Sequence, residues 1–255
     1  MKHALITGAA KRVGREIALH LAANGYDITI HYNDSYDEAC QTKHDVELHN
    51  VKCWLVQADL SDLHQAGEIV QKAYAQGGEI TLLINNASLF LKDDLANVTA
   101  QSLQSHMNIN CFSAVMLTQE LLKQKMEAHS SSLNNLSPTQ VICLLDGMNS
   151  WSISPNFLAY SLSKQALEQF IKLQAASLAP HIRLNGIALG ATMCGHMDKE
   201  DTFAKIAELS PLKRVSNPQE VCDAVMFLEN IPTITGQIIS LSSGFNLQSI
   251  SGARF

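Results

Sequence analysis

The feature that most constrains this chain is a rhythm of short apolar runs separated by longer amphipathic stretches, sustained from one end to the other. The runs are Ala4-Leu5-Ile6, Ile28-Thr29-Ile30, Cys53-Trp54-Leu55-Val56, Leu82-Leu83-Ile84, Val141 to Leu145, Leu184 to Ala188 and Ile238-Ile239. Each is the length of a strand covered on both faces. Between them, apolar residues recur at helical spacing near 13–24, 36–49, 62–76, 100–128, 158–178 and 218–229. Such alternation packs stably as a parallel sheet between two helical layers, so the pattern predicts a Rossmann-type, doubly wound α/β fold of about seven strands. No period of 20–50 residues repeats, which excludes a solenoid.

With 255 residues, 46% of them apolar, the whole of 1–255 is expected to form one domain around a substantial core. The 24 acidic and 18 basic side chains leave a formal charge of -6, and no basic run exceeds Lys11-Arg12, so a nucleic-acid partner is not expected. No apolar run is long enough to span a bilayer, and no signal-peptide core precedes Thr7-Gly8. Six scattered cysteines without a CxxC pair suit a reducing, cytoplasmic setting. Ten histidines form no HExxH, and His44 and His49, five apart, read as surface residues, so no metal is expected. Two segments break the rhythm. The polar stretch His129 to Pro138 reads as a surface loop, and 190–214 as a partly helical flap at the carboxyl edge of the sheet, where open α/β sheets bind ligands.

The first strand runs into Thr7-Gly8-Ala9-Ala10-Lys11-Arg12-Val13-Gly14 and then a helix. Glycines at Gly8 and Gly14 suit a tight turn that brings backbone N–H groups against a diphosphate at the positive end of a helix dipole. The same pair is compatible with a purely structural turn. Asp59, followed by Leu60, and Asn86-Ala87-Ser88 fall after the third and fourth strands, and Asp59 is placed to accept from an adenine amine. Tyr160 and Lys164 lie four apart on one helical face, so both reach one cavity, where a nearby ammonium would lower the phenol pKa.

The pattern TGxxxxxG, then Asn-Asn-Ala, then Tyr-x-x-x-Lys resembles the short-chain dehydrogenase/reductase family, from Ala4 to about Leu247. The resemblance implies a reductase using a nicotinamide dinucleotide, with Tyr160 and Lys164 catalytic and Asn110 holding a water beside the lysine. It implies cofactor contacts from Gly8, Arg12, Val13, Gly14, Tyr32, Asn33, Ser35, Asp59, Leu60, Asn86, Ala87, Ser88, Tyr160, Lys164, Gly190 and Thr192. Arg12 stands where the family often has glycine and adds a charge-assisted phosphate contact beside the cradle; Tyr32 stands where NAD-preferring members carry an acid, which favours NADPH, while Asp34 is discordant. The family's catalytic serine, thirteen positions before the tyrosine, would fall on Gly147, whereas alignment of the strand puts Asp146 in its place. Asp146 then either relays a proton or caps the next turn through Met148 or Asn149.

Within the family the combination of Arg12, His31-Tyr32, Ser35, Asn85-Asn86-Ala87-Ser88 and Asp146 with Tyr160 and Lys164 is similar to the pteridine reductase branch, which includes dihydromonapterin reductases. That likeness implies NADPH-dependent reduction of a dihydropteridine, dihydrofolate among the candidates, held by Arg12, Ser88, Phe90, Asp146 and Tyr160, with Phe90 stacking on the pterin. Phe90 is equally compatible with a core position. The competing readings are a carbonyl reductase of 3-oxoacyl-carrier-protein or sugar type, and a nucleotide-binding homologue without turnover. A homotetramer or homodimer is implied by resemblance alone.

Overall fold

A computed structural model describes residues 2–131, 139–147, 156–193 and 200–247. Seven strands form one sheet: β1 (Lys2–Ile6), β2 (Tyr26–Tyr32), β3 (Cys53–Gln57), β4 (Leu82–Asn85), β5 (Thr139–Asp146), β6 (Ile182–Leu189) and β7 (Ile238–Leu241). Every pairing is parallel and the order is β3-β2-β1-β4-β5-β6-β7. The helices are α1 (Arg12–Ala23), α2 (Tyr36–Glu47), α3 (Leu63–Gly77), α4 (Ala100–Met107), α5 (Ser113–Ser131), α6 (Leu158–Leu178), α7 (Glu200–Leu209) and α8 (Pro218–Asn230).

Alternation along β1 shows how the sheet is covered. Ala4 and Ile6 point into a core shared with Ile17 and Leu21 of α1 and Val221 and Leu228 of α8. Leu5 points the other way, into a core shared with Ile69 of α3, Leu117 of α5 and Ile171 of α6. A strand buried on both faces must read as an unbroken apolar run, which is why the strands were legible as such. The chain reverses its winding between β1 and β4, so the loops after these two strands diverge and leave a crevice at the carboxyl edge.

Two expectations change. The stretch expected as one helix over 100–128 is two, α4 and α5, joined by a π-helical turn at Asn108–Phe112. Helical periodicity carries through the extra residue, so the pattern hides it. The loop expected from His129 begins later, because α5 runs on to Ser131; residues 132–138 lie outside the described residues. The flap is partly helical, as α7, with 194–199 also outside them.

Candidate active site

The glycine turn is built on steric necessity. Gly8 has φ +63°, and a Cβ there would stand 3.0 Å from Ala87 Cα; a Cβ on Gly14 would stand 2.5 Å from both Gly8 O and Asn86 Nδ2. Turn, helix start and the loop after β4 are thus in backbone contact, leaving no room for side chains between them. Asn86 holds this junction. Its Nδ2 donates to Thr7 O at 2.7 Å and Gly8 O at 3.0 Å, while Thr7 Oγ1 accepts from the Asn86 and Ala87 N–H groups, each at 3.0 Å. Asn86 and Thr7 therefore serve the cradle by bracing it. No side chain caps α1, in contrast to α3, α4 and α8, capped by Asp62, Thr99 and Asn217. The first N–H groups of α1 point at the crevice, a setting that suits a diphosphate.

Arg12, expected beside the cradle, takes φ +56°. Left-handed backbone costs a non-glycine residue on the order of 1–2 kcal/mol, and here it aims an exposed guanidinium across the crevice, where Nη2 donates to Met193 O at 3.4 Å. Val13 follows, half-buried. At the end of β2, Tyr32 is buried with its ring tilted against Tyr36 at 5.9 Å, Asn33 is exposed and donates to Asp34 at 3.2 Å, and Ser35 immediately precedes α2. The Asp59 carboxylate accepts from the Ser61 N–H and hydroxyl, each at 2.8 Å, and each oxygen has a second lone pair; Leu60 beside it is buried. On the far side Gly190 is backed by Ser242, which a Cβ would approach at 3.0 Å. Thr192 Oγ1 bonds Gly190 O at 3.0 Å and Ser216 Oγ at 2.8 Å, so this hydroxyl is tied into its own loop.

Asp146, Tyr160 and Lys164 come together. Asp146 ends β5, paired in register with Leu189 of β6, and its carboxylate faces the Tyr160 hydroxyl closely enough to disfavour the phenolate. Gly147, the alternative serine position, is buried, and a Cβ there would stand 2.9 Å from Ala188 O. The tyrosine's partner is thus Asp146, and position 147 has no room for a side chain. The turn cap through Met148 or Asn149 lies outside the described residues.

Electrostatics correct one expectation. Lys164 was expected to lower the Tyr160 pKa, yet burial and then the Asp146 charge push it well above its ordinary value. Lys164 Nζ stands 5.9 Å from the Tyr160 ring centroid and donates to Leu144 O at 2.8 Å. Burial lowers its own pKa to about 8, opposed by Asp146 and by the Cys143 and Cys111 thiols.

Asn110 also braces the site. Oδ1 accepts from Leu89 N at 2.7 Å, and Nδ2 donates to Leu89 O at 2.9 Å and Ser163 Oγ at 2.9 Å, so the side chain fastens the loop after β4 to α6. The π-helical turn offers Asn110 to that loop. Its neighbours act likewise: His106 Nε2 accepts from Leu91 N at 3.4 Å, and Asp93 accepts from Ser102 Oγ at 3.0 Å and, at the start of α6, from Ala159 N at 3.1 Å. Phe90, between Leu89 and Leu91, is thereby fixed in place.

Phe90 is 48% exposed, which removes the core reading. One face stacks on Phe157, with centroids 4.4 Å apart and planes 10° apart, and the ring meets Tyr160 edge-on at 4.6 Å. Ser88 sits exposed at the root of this loop. Sequence reasoning missed Phe157, Asp93 and His106. Phe157 lies three residues before Tyr160, a helical spacing that could have flagged it.

A glycine cradle at the switch point and a Tyr-Lys pair at the carboxyl edge define a dinucleotide-dependent reductase of the short-chain type, and comparison agrees. A family model described as Enoyl-(Acyl carrier protein) reductase matches residues 8–246, and the chain belongs to this short-chain dehydrogenase/reductase family. An uncharacterized oxidoreductase, YmfI of Bacillus subtilis, is 32% identical over 96% of this chain and 99% of its own. The 3-oxoacyl-[acyl-carrier-protein] reductase FabG of Staphylococcus epidermidis is 26% identical over 95% and 98%. Among solved structures, FolM alternative dihydrofolate reductase 1 from Brucella canis, complexed with NADP, superposes with a TM-score of 0.87 at 30% identity, covering 98% of this chain and 96% of that one.

Proposed function

We propose that this chain is an NADPH-dependent reductase of a dihydropteridine, of the dihydromonapterin or dihydrobiopterin kind and with dihydrofolate in its range. The observation that carries the reading is the Asp146 carboxylate at the end of β5 facing Tyr160, where the family has a serine. Support comes from the exposed Phe90 face, fit for a flat heteroaromatic, and from the likeness to a dihydrofolate reductase that binds NADP.

The dinucleotide fits the steric facts of the cradle: Gly8, Gly14 and the uncapped start of α1 would hold its diphosphate, with Val13, Ala87, Ser88, Gly190 and Thr192 around it. Tyr32, Asn33, Ser35, Asp59 and Leu60 lie on the adenosine side, and Lys164 would bind the nicotinamide ribose. When bound, the reduced cofactor supplies the hydride. The protein supplies the proton. Adding hydride to the carbon of a C=N bond leaves a nitrogen more basic than an alkoxide, so a phenol that keeps its proton at neutral pH is a sufficient donor. Tyr160 is that donor. Asp146 orients the hydroxyl and routes its replacement from the half-exposed strand end, while Arg12 faces the polar edge of the pterin.

The test is Asp146→Ala assayed by NADPH oxidation with a dihydropterin. The rate constant kcat should fall at least ten-fold, about 1.4 kcal/mol, and an unchanged value would reduce Asp146 to a turn residue. We take residues 1–255 as one domain with 190–214 as its substrate flap. The exposed Phe112, Leu162 and Leu173 around α5 and α6 support a homotetramer or homodimer. Among the described residues no helix is long and apolar enough to cross a membrane, and five cysteines are free thiols, which supports a cytoplasmic placement.

A further inference from the structure

The glycine turn is held by more than its own backbone. Two of its N–H groups are spent on one residue of β2: Ala9 N donates to His31 O at 3.0 Å, and Gly8 N donates to His31 Nδ1 at 3.1 Å. On the other side of the ring, His31 Nε2 lies 3.1 Å from Ala58 O. These partners determine the tautomer. A carbonyl oxygen can only accept, so Nε2 carries the proton; a peptide N–H can only donate, so Nδ1 is bare. The ring is 2% exposed, at the carboxyl end of a buried strand.

We infer that His31 is a positioning residue of the dinucleotide site: its neutral, Nε2-protonated imidazole locks the diphosphate turn at Gly8 to the adenosine-side loop at Ala58-Asp59. One side chain thereby sets the distance between the two halves of the nucleotide cradle. By occupying the Gly8 and Ala9 N–H groups, it leaves those at the start of α1 to meet a diphosphate. A second proton has no place on the ring, because at Nδ1 it would face the Gly8 N–H. Burial accordingly lowers the His31 pKa to about 4; the Ala58 carbonyl bond and the Asp59 carboxylate, the charged group facing it, oppose that shift.

The inference rests on the nicotinamide-dinucleotide reading but not on the pterin, so its test uses NADPH alone. Binding is measured by fluorescence titration of wild type, His31→Asn and His31→Phe. Asn keeps an acceptor at the place of Nδ1; Phe keeps the bulk without it. The NADPH Kd should rise at least ten-fold in His31→Phe, which loses both contacts, and by a smaller factor of about three to five in His31→Asn, which keeps the Gly8 acceptor but loses the donor to Ala58 O. Equal Kd values in all three proteins, or equal weakening of both variants, would overturn the inference. Nitrogen-15 NMR of the wild-type imidazole gives the decisive reading if His31→Phe fails to fold: an Nε2–H tautomer retained from pH 7 to pH 5 is the expected result, and a protonated Nδ1 contradicts it. Absence of NADPH binding by wild type would count against the cofactor reading, and the NMR tautomer would still decide the His31 contact.

Discussion

At the residue scale, the site works by assigning opposite tasks to buried groups of known charge preference. Tyr160 keeps its proton because burial and Asp146 both disfavour the phenolate. Lys164 sits near its charge limit, with a pKa of about 8, so it is cationic below that pH and neutral above it. The kcat/KM for NADPH should therefore fall above about pH 8 as the lysine loses the charge proposed to hold ribose, and Lys164→Arg, cationic throughout, should flatten that limb in a pH-rate profile. The Tyr-Lys pair was legible in the sequence because a spacing of four is a geometric statement. The direction of the Tyr160 shift was not, because it depends on burial and on the facing Asp146 carboxylate, an arrangement that only the packed end of β5 against α6 creates. His31 entered the sequence reading only through resemblance, and its role was not legible there for the same reason: it lies in two partners 23 and 27 residues away.

At the scale of elements, two loops that meet at the carboxyl edge are each fixed by a side chain from another element. Asn86, after β4, braces the turn after β1, and Asn110, in the π-helical turn, fastens the loop carrying Phe90. Strands and most helix limits followed from apolar periodicity, with α6 at the expected 158–178. The π-helical turn did not, since one added residue barely shifts a helical pattern while turning Asn110 inward. The contact at Gly14 yields a prediction. A Cβ there meets backbone and a braced amide at 2.5 Å, neither able to withdraw, so Gly14→Ala should lower stability by about 1–3 kcal/mol and weaken NADPH binding. Urea unfolding with and without NADPH measures both, and unchanged values in each would show that the junction is looser than this packing requires.

Across the whole molecule, a parallel sheet with two helical layers places every group discussed at one edge, with the reversal of strand order between β1 and β4 opening the crevice. That edge was expected from the β-then-α rhythm alone. What the rhythm does not carry is the bond being reduced, since relatives matched over nearly the whole chain bear the names of 3-oxoacyl and dihydrofolate reductases. The proposed reading of that bond rests on few residues: Asp146 facing Tyr160, a Gly147 without room for a side chain, and the Phe90 ring backed by Phe157. The most direct test is a comparison of kcat/KM for NADPH oxidation with a dihydropterin and with a 3-oxoacyl thioester on the same purified protein. Turnover of the dihydropterin at least ten-fold more efficient is the predicted result, and turnover of the thioester alone would contradict the account.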